Sequence, residues 1–317
     1  GHPEKESWAT GSRDAVRNGV TTVLDMPNTK PPTLDAATVR QKIEIAGAGS
    51  VANYGVWVGA ASTNLDGLAD LWDEGLVCGT KVFMGDSTGS LAVDRATLEG
   101  VFEKSKGLIG VHAEDQDCLA AAHAKWAGHA RPVHNDVRPA EAAVLAVSTL
   151  IELVRATGRS VHICHVSTAA EIAELEPTRG ALPITCEVAP HHLFLSVENG
   201  GDQGNYTKVN PPIRPELDRR ALWTAVKRGR IDSFASDHAP HTKADKELDY
   251  WDAPSGLPGV GTLMPLLLAA MKNGRIGCER LVQMCCEVPA QVFGLANKGR
   301  IVEGFDADIV LIREGAT

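Results

Sequence analysis

Apolar residues along this chain fall into two alternating rhythms. Short, continuous apolar runs at residues 20–26, 54–60, 80–84, 108–113, 160–166, 184–188 and 231–235 read as buried strands. Between them, apolar positions recur at helical spacing over 7–18, from a capped start at Thr33, and over 64–74, 94–106, 116–127, 139–156, 168–175 and 215–227. A polar loop is expected over 128–137. Strand and helix in steady alternation are the signal of βα units around a parallel sheet. Seven strands are counted, and a TIM-type (β/α)8 barrel needs one more. Because the chain opens on a helix, the missing strand is expected upstream of Gly1.

The closing residues break this rhythm. Residues 299–312 read as two strands joined by a turn, with no helix after them. Two strands alone are marginal in water. The expected division is therefore a barrel over 1–295 and, over 296–317, a fragment of a small β-sandwich domain.

Composition narrows the partners. A net charge of -9 without any basic cluster argues against a nucleic-acid surface, and 5% aromatic residues offer no stacking platform. No apolar run approaches the roughly 20 residues that span a bilayer, and the opening Gly-His-Pro-Glu-Lys-Glu lacks signal-peptide character. A cytoplasmic chain acting on a small molecule is expected. The seven cysteines are odd in number, scattered and without Cys-x-x-Cys spacing, so they read as reduced core residues.

In a (β/α) barrel, chemistry sits at the C-terminal ends of the strands. The third strand carries Lys81, followed by the loop Gly85-Asp86-Ser87-Thr88-Gly89; the fourth ends Val111-His112-Ala113-Glu114, and the fifth ends His162-Ile163-Cys164-His165. The seventh ends in Ala235-Ser236-Asp237-His238-Ala239-Pro240-His241, where Pro240 stops the strand and turns Asp237, His238 and His241 outward. Each residue has an ordinary alternative: a satisfied core histidine, or an aspartate that caps a turn. Taken together, strands ending in His, His and Asp beside an internal Lys point to a divalent metal such as zinc. His162 and His165 differ by three positions and should face opposite sides, which makes His165, nearer the strand end, the better ligand. Asp237 would serve twice, as a ligand and as the general acid and base of metal-assisted hydrolysis or its reverse.

The run from Ala235 to His241, with Lys246 five positions on, resembles the dihydroorotase signature. Lys81, His112 and His165 resemble the ligand pattern of the cyclic amidohydrolases, and further likeness lies at Asp25-Met26-Pro27-Asn28-Thr29, Val209-Asn210-Pro211-Pro212-Ile213-Arg214 and Pro258-Gly259-Val260-Gly261-Thr262. The resemblance implies reversible closure of N-carbamoyl-aspartate to dihydroorotate in pyrimidine biosynthesis, on a barrel holding one or two zinc ions. It implies metal contacts from Lys81, His112, His165 and Asp237, and substrate contacts from Asn28, Asn210, His241 and the backbone near Gly256. His241 bracing its loop and Asn28 shaping a turn remain alternatives. Gly79-Thr80-Lys81-Val82-Phe83 is similar to the carbamylated-lysine segment of hydantoinases and many dihydroorotases, with Asp86 as the rival bridging ligand. The family's His-x-His strand is absent, His2 does not replace it, and the chain beginning at Gly1 is expected to hold metal weakly and to be inactive. A homo-oligomer, and association with aspartate transcarbamoylase, are the implied partners. Two further functions stay open: another cyclic amidohydrolase such as a hydantoinase or allantoinase, and a non-catalytic scaffold for aspartate transcarbamoylase.

Overall fold

The computed structural model describes residues 4–87, 91–200 and 203–313. Gly1, His2 and Pro3, and Thr88 and Gly89 of the loop expected near the site, lie outside these residues.

The strands are β1 (Thr22–Asp25), β2 (Asn53–Val56), β3 (Val58–Gly59), β4 (Thr80–Phe83), β5 (Ile109–His112), β6 (Val161–Ile163), β7 (Ile184–Val188) and β8 (Ser233–Phe234). Every pairing among them is parallel, with β1 beside β2 and a second sheet running from β3 to β8 in chain order. The single strand expected over 54–60 is thus divided at Trp57, yet the ladder continues across it. Trp57 N–H donates to Asp25 O, and Cys78 N–H to Val56 O. With β2 and β3 taken as one bent strand, the seven strands of the sequence stand in the order of a (β/α) barrel. No hydrogen-bonded pair joins β8 to β1 among the described residues.

Local chemistry sets the helix ends. Asp94 caps Arg95–Lys104 by accepting from Thr97 N–H, and Thr168 and Glu171 form a reciprocal capping box at the start of Ala169–Leu175. Helix Ala140–Thr157 stops at Gly158, whose φ of 71° is left-handed. That helix buries Ala142, Ala143, Ala146, Val147, Leu150, Ile151, Leu153 and Val154 against the sheet. Strands β4 and β5 are buried at every position, as expected of a parallel sheet covered on both faces.

Three expectations need correction. A short helix at His134–Val137 occupies the stretch expected as a polar loop, and helices Pro190–Phe194, Lys243–Lys246, Leu263–Lys272 and the run from Cys278 to Val292 are not among the elements the apolar pattern predicts. The two strands expected over 299–312 do not form: no strand lies there among the described residues, and Ile301 and Leu311 are 86% and 93% exposed. An extended segment becomes a strand only when a neighbour takes its N–H and C=O groups. Finally, Cys278 and Cys286 are exposed rather than core residues, although all seven cysteines are free thiols.

Candidate metal and substrate site

The eight residues for which the resemblance implies contacts, Asn28, Lys81, His112, His165, Asn210, Asp237, His241 and Gly256, all line one large cavity, which also reaches residues 19–22 at the start of β1. Two of them meet directly. His112 Nδ1 lies 3.0 Å from His165 Nε2. On its other side, His112 Nε2 lies 2.9 Å from the carboxylate of Glu114, which is fully buried. Burial alone would raise the Glu114 carboxyl, but Arg138 and the His112 hydrogen bond more than offset this and hold it well below the carboxylate range. An ionised carboxylate only accepts, so His112 carries its proton on Nε2 and turns a bare Nδ1 toward His165. Burial also lowers the affinity of both imidazoles for a second proton.

His165 reaches this position against the alternation of its strand. Its φ of 37° is left-handed, so the side chain swings into the cavity that His162 also lines. The expected separation of the two onto opposite faces is therefore lost, and their roles diverge instead. His162 Nε2 contacts Glu187 Oε2 at 3.0 Å and its Nδ1 contacts Thr185 Oγ1 at 2.8 Å, leaving neither nitrogen for a ligand. Asp237 is held the same way, with φ 43°. Strained backbone of this kind is kept where the surroundings over-determine it, commonly at functional sites. Burial, reinforced by the charge of Glu187, pushes the Asp237 carboxyl up to about 7. Its Oδ2 lies 3.4 Å from His191 Nε2.

Lys81 is 2% exposed and donates to Cys164 Sγ at 2.9 Å. Burial pushes the Cys164 thiol up to about 11, so the acceptor is the neutral group. Its rival Asp86 lines the same cavity but has other partners. The Asp86 side chain is exposed and accepts from Gln116 Nε2 at 3.2 Å, and its carbonyl oxygen accepts from Arg138 at 2.8 Å.

The donor set suits a transition metal in part. The hydrogen bond between His112 Nδ1 and His165 Nε2 occupies the place in which two neutral imidazoles would share one cation. Among the described residues no three His, Cys, Asp or Glu side chains converge into a finished cage.

On the substrate side, His134 Nε2–H faces Asn210 Oδ1 at 3.0 Å and Val209 O at 3.1 Å, while its Nδ1 accepts from the Tyr250 hydroxyl. His241 is braced at both nitrogens, by Lys5 Nζ at 3.0 Å and Ser255 O at 3.0 Å. Burial, with Lys5 beside it, lowers His241 to about 4, so it is neutral. His238 Nε2–H donates to Glu6 Oε2 at 2.7 Å while its Nδ1 accepts from the N–H groups of Gly259 and Val260, and so fixes its loop.

The profile described as "Amidohydrolase family" matches residues 2–314. The chain belongs to this family. Two relatives named dihydroorotase stand out: that of Halobacterium salinarum is 42% identical over 98% of this chain and 73% of its own length, and that of Methanosarcina acetivorans is 36% identical over 97% and 68%. Among solved structures, the L-hydantoinase (dihydropyrimidinase) from Arthrobacter aurescens superposes with a TM-score of 0.89 at 29% identity, covering 95% of this chain and 69% of that one.

Sequence reasoning gave no role to several residues of this amidohydrolase site: Glu114, Arg138, His134, His191 and Lys246. For Glu114 a signal was present, because residues two apart share a face of a strand and its direction continues from His112. For Arg138 and His134 there was none, since both arrive from a stretch read as plain loop. Arg138 bonds Glu114 through Nε and NH2, which fixes the carboxylate that fixes His112. If the site takes a divalent cation such as zinc, Glu114→Gln is accordingly expected to weaken its binding by roughly 10–100-fold. Competition with a chromogenic chelator measures this, and an unchanged affinity contradicts the orienting role.

Proposed function

We propose that this amidohydrolase is a zinc-dependent dihydroorotase, catalysing the reversible cyclisation of N-carbamoyl-L-aspartate to dihydroorotate. The observation that most supports the substrate is the 42% identity to a dihydroorotase over 98% of the chain. The geometry supports the chemistry independently, since two imidazoles meet at 3.0 Å in a cavity that Lys81 and Asp237 also line. His112 Nδ1, His165 Nε2, Asp237 and Lys81, the last as its carbamate, would hold the metal, which when bound polarises a carbonyl and acidifies water.

The chain's own residues then divide the work. Asp237 takes the proton of the attacking water during ring opening and returns it to the departing ring nitrogen; cyclisation runs the transfer backwards. Asn210 and the backbone at Gly256 hold the substrate's polar edge, and His241, kept neutral, frames them without adding charge. Glu114 and Arg138 keep His112 in one tautomer throughout. Among the described residues no helix is long and apolar enough to cross a membrane, and a cytoplasmic location is part of the proposal. Assembly as a homo-oligomer, alone or with aspartate transcarbamoylase, is part of the same proposal.

The superposition on an L-hydantoinase at 29% identity is what stands behind a second reading, a cyclic amidohydrolase acting on hydantoins or dihydropyrimidines, and the 42% identity to a dihydroorotase outweighs it. The non-catalytic scaffold has less behind it, since His112, His165 and Asp237 all line the cavity. Direction of reaction against pH is the first test. Cyclisation consumes a proton, so the full-length, metal-loaded protein should close carbamoyl-aspartate at mildly acidic pH and open dihydroorotate at alkaline pH. A rate with the same pH dependence in both directions contradicts the shared acid and base.

A further inference from the structure

We propose that Lys246 is a positioning residue for the substrate slot, its ammonium tying the stretch 254–256 to the stretch 208–210. What the slot holds rests on the dihydroorotase reading; that Lys246 sets its shape does not.

Lys246 is 6% exposed, although a lysine side chain is rarely buried without an anionic partner. Its hydrogen bonds all go to main-chain carbonyls: Lys208 O at 3.2 Å, Pro254 O at 2.9 Å and Gly256 O at 3.0 Å. Three donors thus meet three acceptors that belong to two different loops. The same Lys208 carbonyl also accepts from Gly256 N–H at 2.9 Å. Lys208 returns the tie, its own Nζ donating to Tyr250 O at 2.5 Å and Ala253 O at 2.6 Å.

The knot ends on the candidate substrate contacts. Asn210 lies two residues beyond Lys208, and Ser255 O, between the two tied carbonyls of the second loop, holds His241 at 3.0 Å. Gly256, at φ 144°, passes so close that a Cβ would stand 2.8 Å from His241 Nε2 and 2.6 Å from Ala239 O. The one-turn helix Lys243–Lys246 delivers the ammonium, and Thr242 caps it in a box with Asp245. Removing the ammonium leaves the Pro254 and Gly256 carbonyls short of a donor and loosens the two loops, which keep only the Gly256 N–H bond to Lys208 O and the bonds of the Lys208 ammonium between them. The strands that carry His112, His165 and Asp237 are not touched.

Lys246→Met in the full-length, metal-loaded protein tests this, with Thr242→Ala as a control that weakens the helix cap but leaves the ammonium in place. Lys246→Met should raise KM for carbamoyl-aspartate and dihydroorotate about tenfold or more, with kcat within about threefold of wild type. Hydrogen exchange at the Gly256 amide should accelerate about tenfold or more as the loop opens locally. Thr242→Ala should change both readings less. A fall in kcat at unchanged KM, or a Gly256 amide as protected as in wild type, overturns the proposal. Should Lys246→Met not fold, Lys246→Gln, which keeps two donors, is read by the same two criteria. If wild type does not turn over dihydroorotate at all, the dihydroorotase reading fails, and the exchange result alone decides the role of Lys246.

Discussion

Asp237→Asn is expected to lower kcat by several orders of magnitude and, in the metal-free protein, to raise stability above neutral pH. The first effect follows from removing the group that takes and returns the proton. The second follows from linkage. In the folded chain the carboxyl titrates at about 7 against an ordinary 3.8, so the folded state holds the proton more tightly than the unfolded one. That contribution is fully present below the unfolded value and is lost as pH rises towards 7. Above neutrality the wild type carries an ionised carboxylate in a poorly solvated place, beside Glu187. A quarter of the side chain still reaches solvent, so the cost is on the order of 2 kcal/mol rather than the full shift. Asparagine cannot ionise and escapes it. Thermal unfolding of both metal-free proteins from pH 4 to 8 should show curves that meet at the acid end and separate with rising pH. A gain independent of pH, or an active Asp237→Asn enzyme at full metal loading, contradicts this account of the residue.

The second large effect concerns the bridge that the proposed reading assigns to Lys81 where two metals are bound. An unmodified lysine is a cation at neutral pH and repels two divalent ions, whereas its carbamate offers two anionic oxygens. Lys81 is nearly inaccessible, within β4, and its amine reaches Cys164 across the cavity-facing side of the sheet. Asp86 turns to solvent and Gln116. Lys81→Ala is therefore expected to abolish loading of a second metal and to cost at least about 100-fold in kcat, with partial recovery when short carboxylic acids are added. Asp86→Ala should stay within a few-fold of wild type. Metal content by elemental analysis, read beside activity, separates the two: if Lys81→Ala keeps both ions and Asp86→Ala loses one, the bridging role belongs to Asp86.

Much of the fold was legible because parallel strands buried on both faces leave continuous apolar runs, and helices between them carry caps such as Asp94 and Thr168. Strand ends were less legible. The runs at 160–166 and 231–235 shrink to three and two paired residues, Val161–Ile163 and Ser233–Phe234. Their polar ends turn away from the ladder to present His165 and Asp237, whose left-handed backbones no periodicity announces. The closing segment misled for a different reason: alternation predicts a strand only if an edge is there to receive it. Within the site, the residue types that chemistry requires were visible at strand ends. The residues that brace them and the neighbouring loops were not, because Arg138 and His134 come from a stretch read as loop, and Lys246, though visible in the run after Asp237, acts through contacts that depend on the finished fold.

The most direct test of the central claim is the ratio of kcat/KM for dihydroorotate to that for hydantoin and dihydrouracil, measured on the purified full-length protein loaded with zinc. Dihydroorotate should be preferred by at least about 100-fold, because the proposed reading has Asn210 and the Gly256 backbone, which line the cavity, hold a ring carboxylate that hydantoin and dihydrouracil lack. Faster turnover of hydantoin or dihydrouracil than of dihydroorotate would contradict the assignment and make this amidohydrolase a hydantoinase.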